Sequence, residues 1–148
     1  MKAVLQRTSH AEVVVLGNVT GRIGVGVCVL VGVARGDEPA DAEWLARKCV
    51  TARIFTDAQD KMNLSVQDVG GAILAVSQFT LLGDLQTGRR PSFTEAMPPD
   101  QAKPLFEHFC AEARRMGVQV EIGVFRAHMD VTLCNSGPVT LLLDSKGR

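Results

Sequence analysis

Two rhythms of apolar residues alternate along this chain. Residues 3–7 and 11–16 interleave apolar and polar side chains with a period of two, which predicts strands, and Gly17-Asn18 supplies the turn that follows. Residues 24–33 form an almost unbroken β-branched run punctuated by glycine, the pattern of a central strand buried on both faces. At Asp37-Glu38-Pro39 the period lengthens: Ala42, Leu45, Cys49 and Ala52 make one apolar stripe, with proline near the first helical position. A second helix is predicted after Pro98-Pro99-Asp100, where Ala102, Phe106, Phe109, Ala113 and Met116 share a face and Gly117 supplies the stop. Pro104 falls inside that stripe, so either the helix starts there or its first turn bends. Apolar runs at 72–76, 118–122, 129–133 and 139–143 bring the total to about seven strands and two main helices, with no repeat and no linker. The fold class expected is α/β, a sheet-rich single domain over residues 1–148. Segments 56–71 and 82–98 are polar and rich in glycine and proline, and loops of that length inside a compact domain are frequently functional.

Composition narrows the setting. A chain of 148 residues, 46% of them hydrophobic, can bury one sizeable core. Charge interrupts the N-terminal segment too early for a signal peptide, and no apolar run approaches membrane-spanning length, so a soluble cytoplasmic protein without a membrane partner is expected. Sixteen basic residues balance sixteen acidic ones. A protein that grips a long stretch of nucleic acid needs an excess of Lys and Arg, so a nucleic-acid substrate would be held by its end. Cys28, Cys49, Cys110 and Cys134 are scattered without a CxxC pair and read as reduced, buried thiols, with Cys134 ambiguous by alternation. His10, His108 and His128 lack ligand spacing, and neither a metal nor an organic cofactor is expected.

Candidate chemistry concentrates in two stretches. Ser77-Gln78-Phe79-Thr80 follows the strand at 72–76, and Asn135-Ser136-Gly137-Pro138-Val139-Thr140 precedes the last one. Each sets small hydroxyl and amide side chains at the mouth of an apolar strand, and a Gly-Pro bond adopts cis at lower cost than a non-prolyl one. A strand end at 77–80 would free backbone N–H groups for a carbonyl oxygen, although a plain strand end with polar caps has the same sequence. Thr80 as a nucleophile would need a neighbouring base, and no His or Lys stands nearby in the sequence. Gly137-Pro138 by itself most often means a turn between two strands.

Together these stretches resemble the signature motifs of the D-aminoacyl-tRNA deacylases, also called D-tyrosyl-tRNA deacylases. The similarity continues in order through Gln6-Arg7, Lys61-Met62-Asn63-Leu64-Ser65, Gly88-Arg89-Arg90-Pro91-Ser92-Phe93 and Gly123-Val124-Phe125-Arg126-Ala127-His128-Met129, and so covers essentially the whole chain. The resemblance implies a homodimer with active sites at the subunit interface, acting on the 3′ end of D-aminoacyl-tRNA and of mischarged glycyl-tRNA. It implies that the amides around Phe79 and Thr80 hold the oxyanion, that Ser77 and Gln78 position the terminal adenosine or the ester, and that the tRNA 2′-hydroxyl assists. By the same resemblance Gly137-Pro138 is cis and enters the partner's site as a chiral gate, which rejects L-residues and admits D-residues and glycine. Arg7 holds the Gly-Pro loop and Asn135 braces it, while Phe125, Ala127 and Met129 line the pocket. For Arg7 the other reading is a surface charge, and for the last three it is core packing.

Two positions depart from the family pattern: Arg126 stands where glycine is usual, and Ser136 replaces a frequent aspartate. Arg126 puts a bulky cation beside the implied pocket, whereas Ser136 is a tolerable change. The basic clusters Gly88-Arg89-Arg90 and Lys146-Gly147-Arg148 could meet acceptor-end phosphates, with solvated surface charge the better reading of the second. Two rival functions are a non-catalytic module that binds the tRNA 3′ end and a related editing deacylase of relaxed chirality.

Overall fold

A computed structural model describes residues 1–147. Eight strands and two helices follow one another as β1 (Lys2–Val15), β2 (Asn18–Ile23), β3 (Gly26–Gly32), α1 (Pro39–Thr51), β4 (Phe55–Thr56), β5 (Met62–Leu64), β6 (Ala72–Ser77), α2 (Pro99–Arg115), β7 (Gln119–Ile122) and β8 (Asp130–Asp144). The main sheet runs β2-β1-β3-β6-β7, and β8 pairs with β1. β1 is antiparallel to β2, β3 and β8, whereas β3, β6 and β7 are mutually parallel, which requires the long crossovers that carry α1 and α2. The separate pair β4-β5 sits within the first crossover.

The two expected strands at 3–7 and 11–16 are one long strand, β1, and those at 129–133 and 139–143 are likewise one, β8. β3 is buried along almost its whole length, as its unbroken apolar run requires. Leu5, Val29, Val31, Ile73 and Ala75 pack against Leu45, Cys49 and Val50 of α1 and Phe106, Phe109 and Ala113 of α2. Full burial of Phe109 stabilises the fold by roughly 1.5–3 kcal/mol. A second cluster, Ala11, Val13, Ile23, Cys28, Leu74 and Val76, lies apart from the first. α2 starts at Pro99 and continues through Pro104, whose ring forgoes a single backbone bond early in the helix. It ends at Arg115, and Gly117 just beyond the Met116 cap sits at φ +90° and donates its N–H to the Arg114 carbonyl at 2.9 Å.

The N-terminus is tied down by charge. The Met1 α-ammonium lies 2.7 Å from the buried Asp37 Oδ1 and donates to Ser145 Oγ at 2.5 Å. Lys146 Nζ donates to Asp41 Oδ2 at 2.7 Å, so this lysine is an ion-pair partner and not a free surface charge; Arg148 of the same cluster lies outside the described residues. Burial opposes ionisation of Asp41. The Lys146 ammonium and the Glu38 N–H outweigh it and hold the carboxyl well below the usual range.

Candidate active site

Beyond the C-terminal end of β6 opens a cavity of about 590 Å³. Its walls come from β3 (Val31), β6 (Val76, Ser77), the residues after β6 (Gln78, Phe79), segment 93–98 (Phe93, Ala96, Met97, Pro98), the start of α2 (Pro99, Ala102, Phe106) and the β7-β8 connection (Phe125 to Met129). Parallel strands with crossovers leave such a crevice at their carboxyl ends. Ser77, Gln78, Phe79, Phe125, Ala127 and Met129, widely separated in sequence, therefore share one space. Phe125 also packs on Phe106, ring centroids 6.0 Å apart, so it serves both cavity and core.

β6 ends at Ser77 because the chain turns into a 3₁₀ segment, Phe79–Leu82. The Gln78 N–H still donates to Val31 O at 2.7 Å, and the first bond of the new turn runs from Leu81 N–H to Gln78 O at 3.3 Å. The N–H groups of Phe79 and Thr80 thus precede the ladder, where a helical turn leaves its donors open. Gln78 Nε2 donates to Thr80 Oγ1, and Thr80 itself is exposed and absent from the cavity wall. Phe79 is 57% exposed and meets Phe93 edge to face at 5.0 Å.

Opposite lies a tight turn. Ala127 N–H donates to Val124 O at 3.1 Å, and Arg126, third of the four residues, has φ +67°. A turn with positive φ at its third position favours glycine, so Arg126 occupies a conformation that an L side chain adopts only at a cost. Arg126 and His128 are both exposed at the cavity wall.

A second group of residues gathers around Gly137. In the β1-β8 ladder Gln6 faces Thr140 and Thr8 faces Asn135, so residues 136–139 stand opposite Arg7 alone and bulge out of a continuous strand. Gly137-Pro138 is therefore no turn between two strands. The bond is cis, and Gly137 has φ +134°. A Cβ at Gly137 would lie 2.8 Å from Arg7 Nη2 and 2.9 Å from Val139 Cγ2, so glycine is required by both conformation and space. Arg7 donates from Nε to Ser136 O at 2.8 Å and from Nη1 to Ile54 O at 2.6 Å. Asn135 spans the bulge, accepting from Val139 N–H at 2.8 Å and donating to Thr140 Oγ1 at 2.8 Å.

The two groups do not meet within one chain. Ser77 is level with Val31 and Ala3, but the bulge is level with Arg7 and Val27. Four residues along the strand and three strand spacings across put them about 20 Å apart. None of Arg7, Asn135, Gly137 and Pro138 lines the cavity.

A family model for D-Tyr-tRNA(Tyr) deacylase matches residues 4–144. The chain belongs to this deacylase family. D-aminoacyl-tRNA deacylases of Anaeromyxobacter dehalogenans and Thermomicrobium roseum are 58% and 57% identical to it; the matches cover 99% and 98% of this chain and 98% and 94% of theirs. The solved structure of a c-Myc DNA unwinding element binding protein superposes with a TM-score of 0.92 at 39% identity, covering 97% of this chain and 98% of that one. A probable eukaryotic D-amino acid tRNA deacylase, at 19% identity and TM-score 0.81, covers 96% of this chain and 97% of its own and shares the fold.

Within this family member several wall residues escaped sequence reasoning. Phe93, Met97 and Pro98 belong to the segment 82–98 singled out for its length, but no motif marked them individually. Segment 56–71 contributes nothing to the wall; it holds β5 and a turn tied by Asp57, whose Oδ1 accepts from the Gln59 and Lys61 N–H groups. Of the four thiols, Cys28, Cys49 and Cys110 are buried as expected, and Cys134, which alternation left ambiguous, is exposed. Burial pushes the Cys28 and Cys110 thiols up to about 11 and Cys49 to about 12, which leaves them protonated and unreactive at neutral pH. Among the described residues no cluster of three or more His, Cys, Asp or Glu could hold a metal, and no helix is long and apolar enough to cross a membrane.

Proposed function

We propose that this protein hydrolyses the ester joining a D-amino acid, or misplaced glycine, to the 3′ end of tRNA and rejects the L-aminoacyl ester. The observation that carries this reading is the composition of the cavity wall. Apolar side chains surround Ser77 and Gln78, open backbone donors follow at Phe79 and, just past the wall, at Thr80, and among the described residues no carboxylate, thiol or lysine lines the cavity to act as nucleophile or strong base. Such a site suits an ester whose own carbonyl becomes the charged centre. The Phe79 and Thr80 N–H groups receive the developing oxyanion, Ser77 and Gln78 position the terminal nucleoside, and the exposed Phe79, packed on the half-buried Phe93, offers a ring face for stacking its base. Water oxygen bonds to the carbonyl carbon, the carbon to ribose-oxygen bond breaks, and the vicinal 2′-hydroxyl passes the proton to the leaving 3′-oxygen. No metal or organic cofactor enters this scheme.

Chirality rests on a second copy. Gly137-Pro138 is displayed on an exposed bulge far from its own cavity, and beside it on β8 Leu141 and Leu142 are 41% and 80% exposed. Apolar side chains on a strand whose outer edge is unpaired favour self-association. In the resulting homodimer each bulge completes the partner's cavity and sets backbone against the Cβ of an L-residue, while glycine, with no Cβ, passes. Aminoacyl-tRNA as substrate places the protein in the cytoplasm.

The test is release of free amino acid from D-Tyr-tRNA and Gly-tRNA, with mass measured by light scattering. Multiple turnovers and a mass near twice 15.9 kDa are expected. Binding without release would instead indicate a tRNA-end binding module, and an active monomer would rule out the shared site.

A further inference from the structure

We infer that Arg126 binds the phosphate on the 5′ side of the substrate's terminal nucleoside, an inference that rests on the deacylase reading above. Among the described residues, Arg126 is the only one of permanent charge that lines the cavity, and no Asp or Glu lines it. Arg126 makes no hydrogen bond or ion pair with any described residue. The nearest acid along the chain, Asp130, faces His128 instead, with Nε2 to Oδ1 at 3.8 Å. An exposed arginine with no partner is common on a surface. One at φ +67°, in a turn position where glycine is the unstrained choice, is not. Strain retained at a cavity wall points to a role for the side chain that offsets it.

The chemistry of the substrate decides which part the guanidinium meets. The aminoacyl moiety carries an α-amino group that is cationic or neutral near pH 7, and a guanidinium beside it would repel its charged form. The opposite end of the terminal nucleotide is a phosphodiester, whose oxygens match the planar fork of arginine. With 16 basic and 16 acidic residues the protein has no general excess of positive charge to hold tRNA, so one well-placed cation at the site carries unusual weight. Arg126 is thus a substrate-contacting residue that helps fix the depth to which the 3′ end enters.

The experiment compares three D-tyrosyl esters: full D-Tyr-tRNA, 3′-O-D-tyrosyl adenosine 5′-monophosphate, and 3′-O-D-tyrosyl adenosine, which has no phosphate. Wild type is expected to favour the 5′-phosphorylated nucleotide over the bare nucleoside about fivefold in kcat/KM, the size of one solvent-accessible ionic contact. Arg126→Ala should bring that ratio close to one and reduce the salt dependence of kcat/KM on D-Tyr-tRNA by about 0.7 in log-log slope, the share of one single-strand phosphate. Arg126→Gly relieves the backbone and removes the charge, so its agreement with alanine would assign the effect to the guanidinium and not to the turn. Arg126→Lys should keep most of the preference. Equal loss on all three esters, or an unchanged ratio in the alanine and glycine variants, overturns the inference and leaves the deacylase reading intact. If wild type hydrolyses none of the three, the deacylase reading itself falls, and this inference with it.

Discussion

Replacing Thr80 by alanine separates two mechanisms by orders of magnitude. The Thr80 hydroxyl accepts one hydrogen bond, from Gln78 Nε2, and lies outside the cavity wall. If its role is to orient Gln78, the variant loses one neutral, solvent-accessible hydrogen bond worth about 0.5–1.5 kcal/mol, a fall of roughly 2- to 12-fold in rate. If Thr80 were the covalent nucleophile, the loss would be on the order of 10⁴-fold or more, since an activated nucleophile has no substitute at the site. Single-turnover hydrolysis of D-Tyr-tRNA distinguishes the two cleanly. The same measurement on tRNA ending in 2′-deoxyadenosine, charged at the 3′ position, isolates the contribution of the ribose. A modest loss is expected for Thr80→Ala and a large one for the deoxy substrate. Collapse of the alanine variant together with full wild-type activity on the deoxy substrate would exclude catalysis by the ribose hydroxyl and make Thr80 the nucleophile.

Gly137→Ala should be more damaging, because its Cβ would meet Arg7 Nη2 at 2.8 Å in a backbone conformation costing on the order of 1–3 kcal/mol for other residues. Its thermal midpoint is expected to drop by several degrees, with a larger fall in D-Tyr-tRNA hydrolysis than in Thr80→Ala; a variant unchanged in both would remove Gly137 from the site. Thiol titration of the native protein should modify Cys134 alone, and Cys28, Cys49 and Cys110 only after unfolding; rapid modification of all four would contradict the burial described. The carboxyl of Asp41 is depressed below its unfolded value, so its stabilising contribution is fully present above about pH 4 and is lost as the solution is acidified through the folded value. Thermal melts from pH 7 to pH 3 should therefore show a steeper acid loss for wild type than for Asp41→Asn, and parallel curves would dissociate Asp41 from the acid transition.

Local signals made the helices and β3 legible: proline at 39 and 99, glycine at 117 and a helical stripe in each case, and an unbroken β-branched run for β3. The continuity of β1 and β8 was not legible, because polar residues in the middle of each strand break the alternation while the ladder to the neighbour persists. The short strands β2, β4 and β5 are too polar and too brief to carry a period of their own. Gly137-Pro138 looks like a turn in sequence because a bulge is defined by the partner strand, and Arg7 lies far away along the chain. Lys146 looked solvated for the same reason, its partner Asp41 being 105 residues distant. In the site, Ser77 to Thr80 and Phe125 to Met129 were recognisable as motifs. Phe93 and Met97 became wall residues only through packing of segment 93–98 over the end of the sheet.

Whether one subunit's Gly137-Pro138 completes the other's cavity is tested most directly by mixed dimers. Gln78→Ala damages the cavity and Gly137→Val damages the bulge, and each homodimer carries its defect at both sites. Produced together with distinct tags and purified through both, the heterodimer pairs one intact cavity with one intact bulge across the interface. Recovery of about half the wild-type single-turnover amplitude on D-Tyr-tRNA is expected, one of two symmetric sites, with L-Tyr-tRNA still rejected. A heterodimer no more active than its parents would contradict it, because each chain would then supply its own gate.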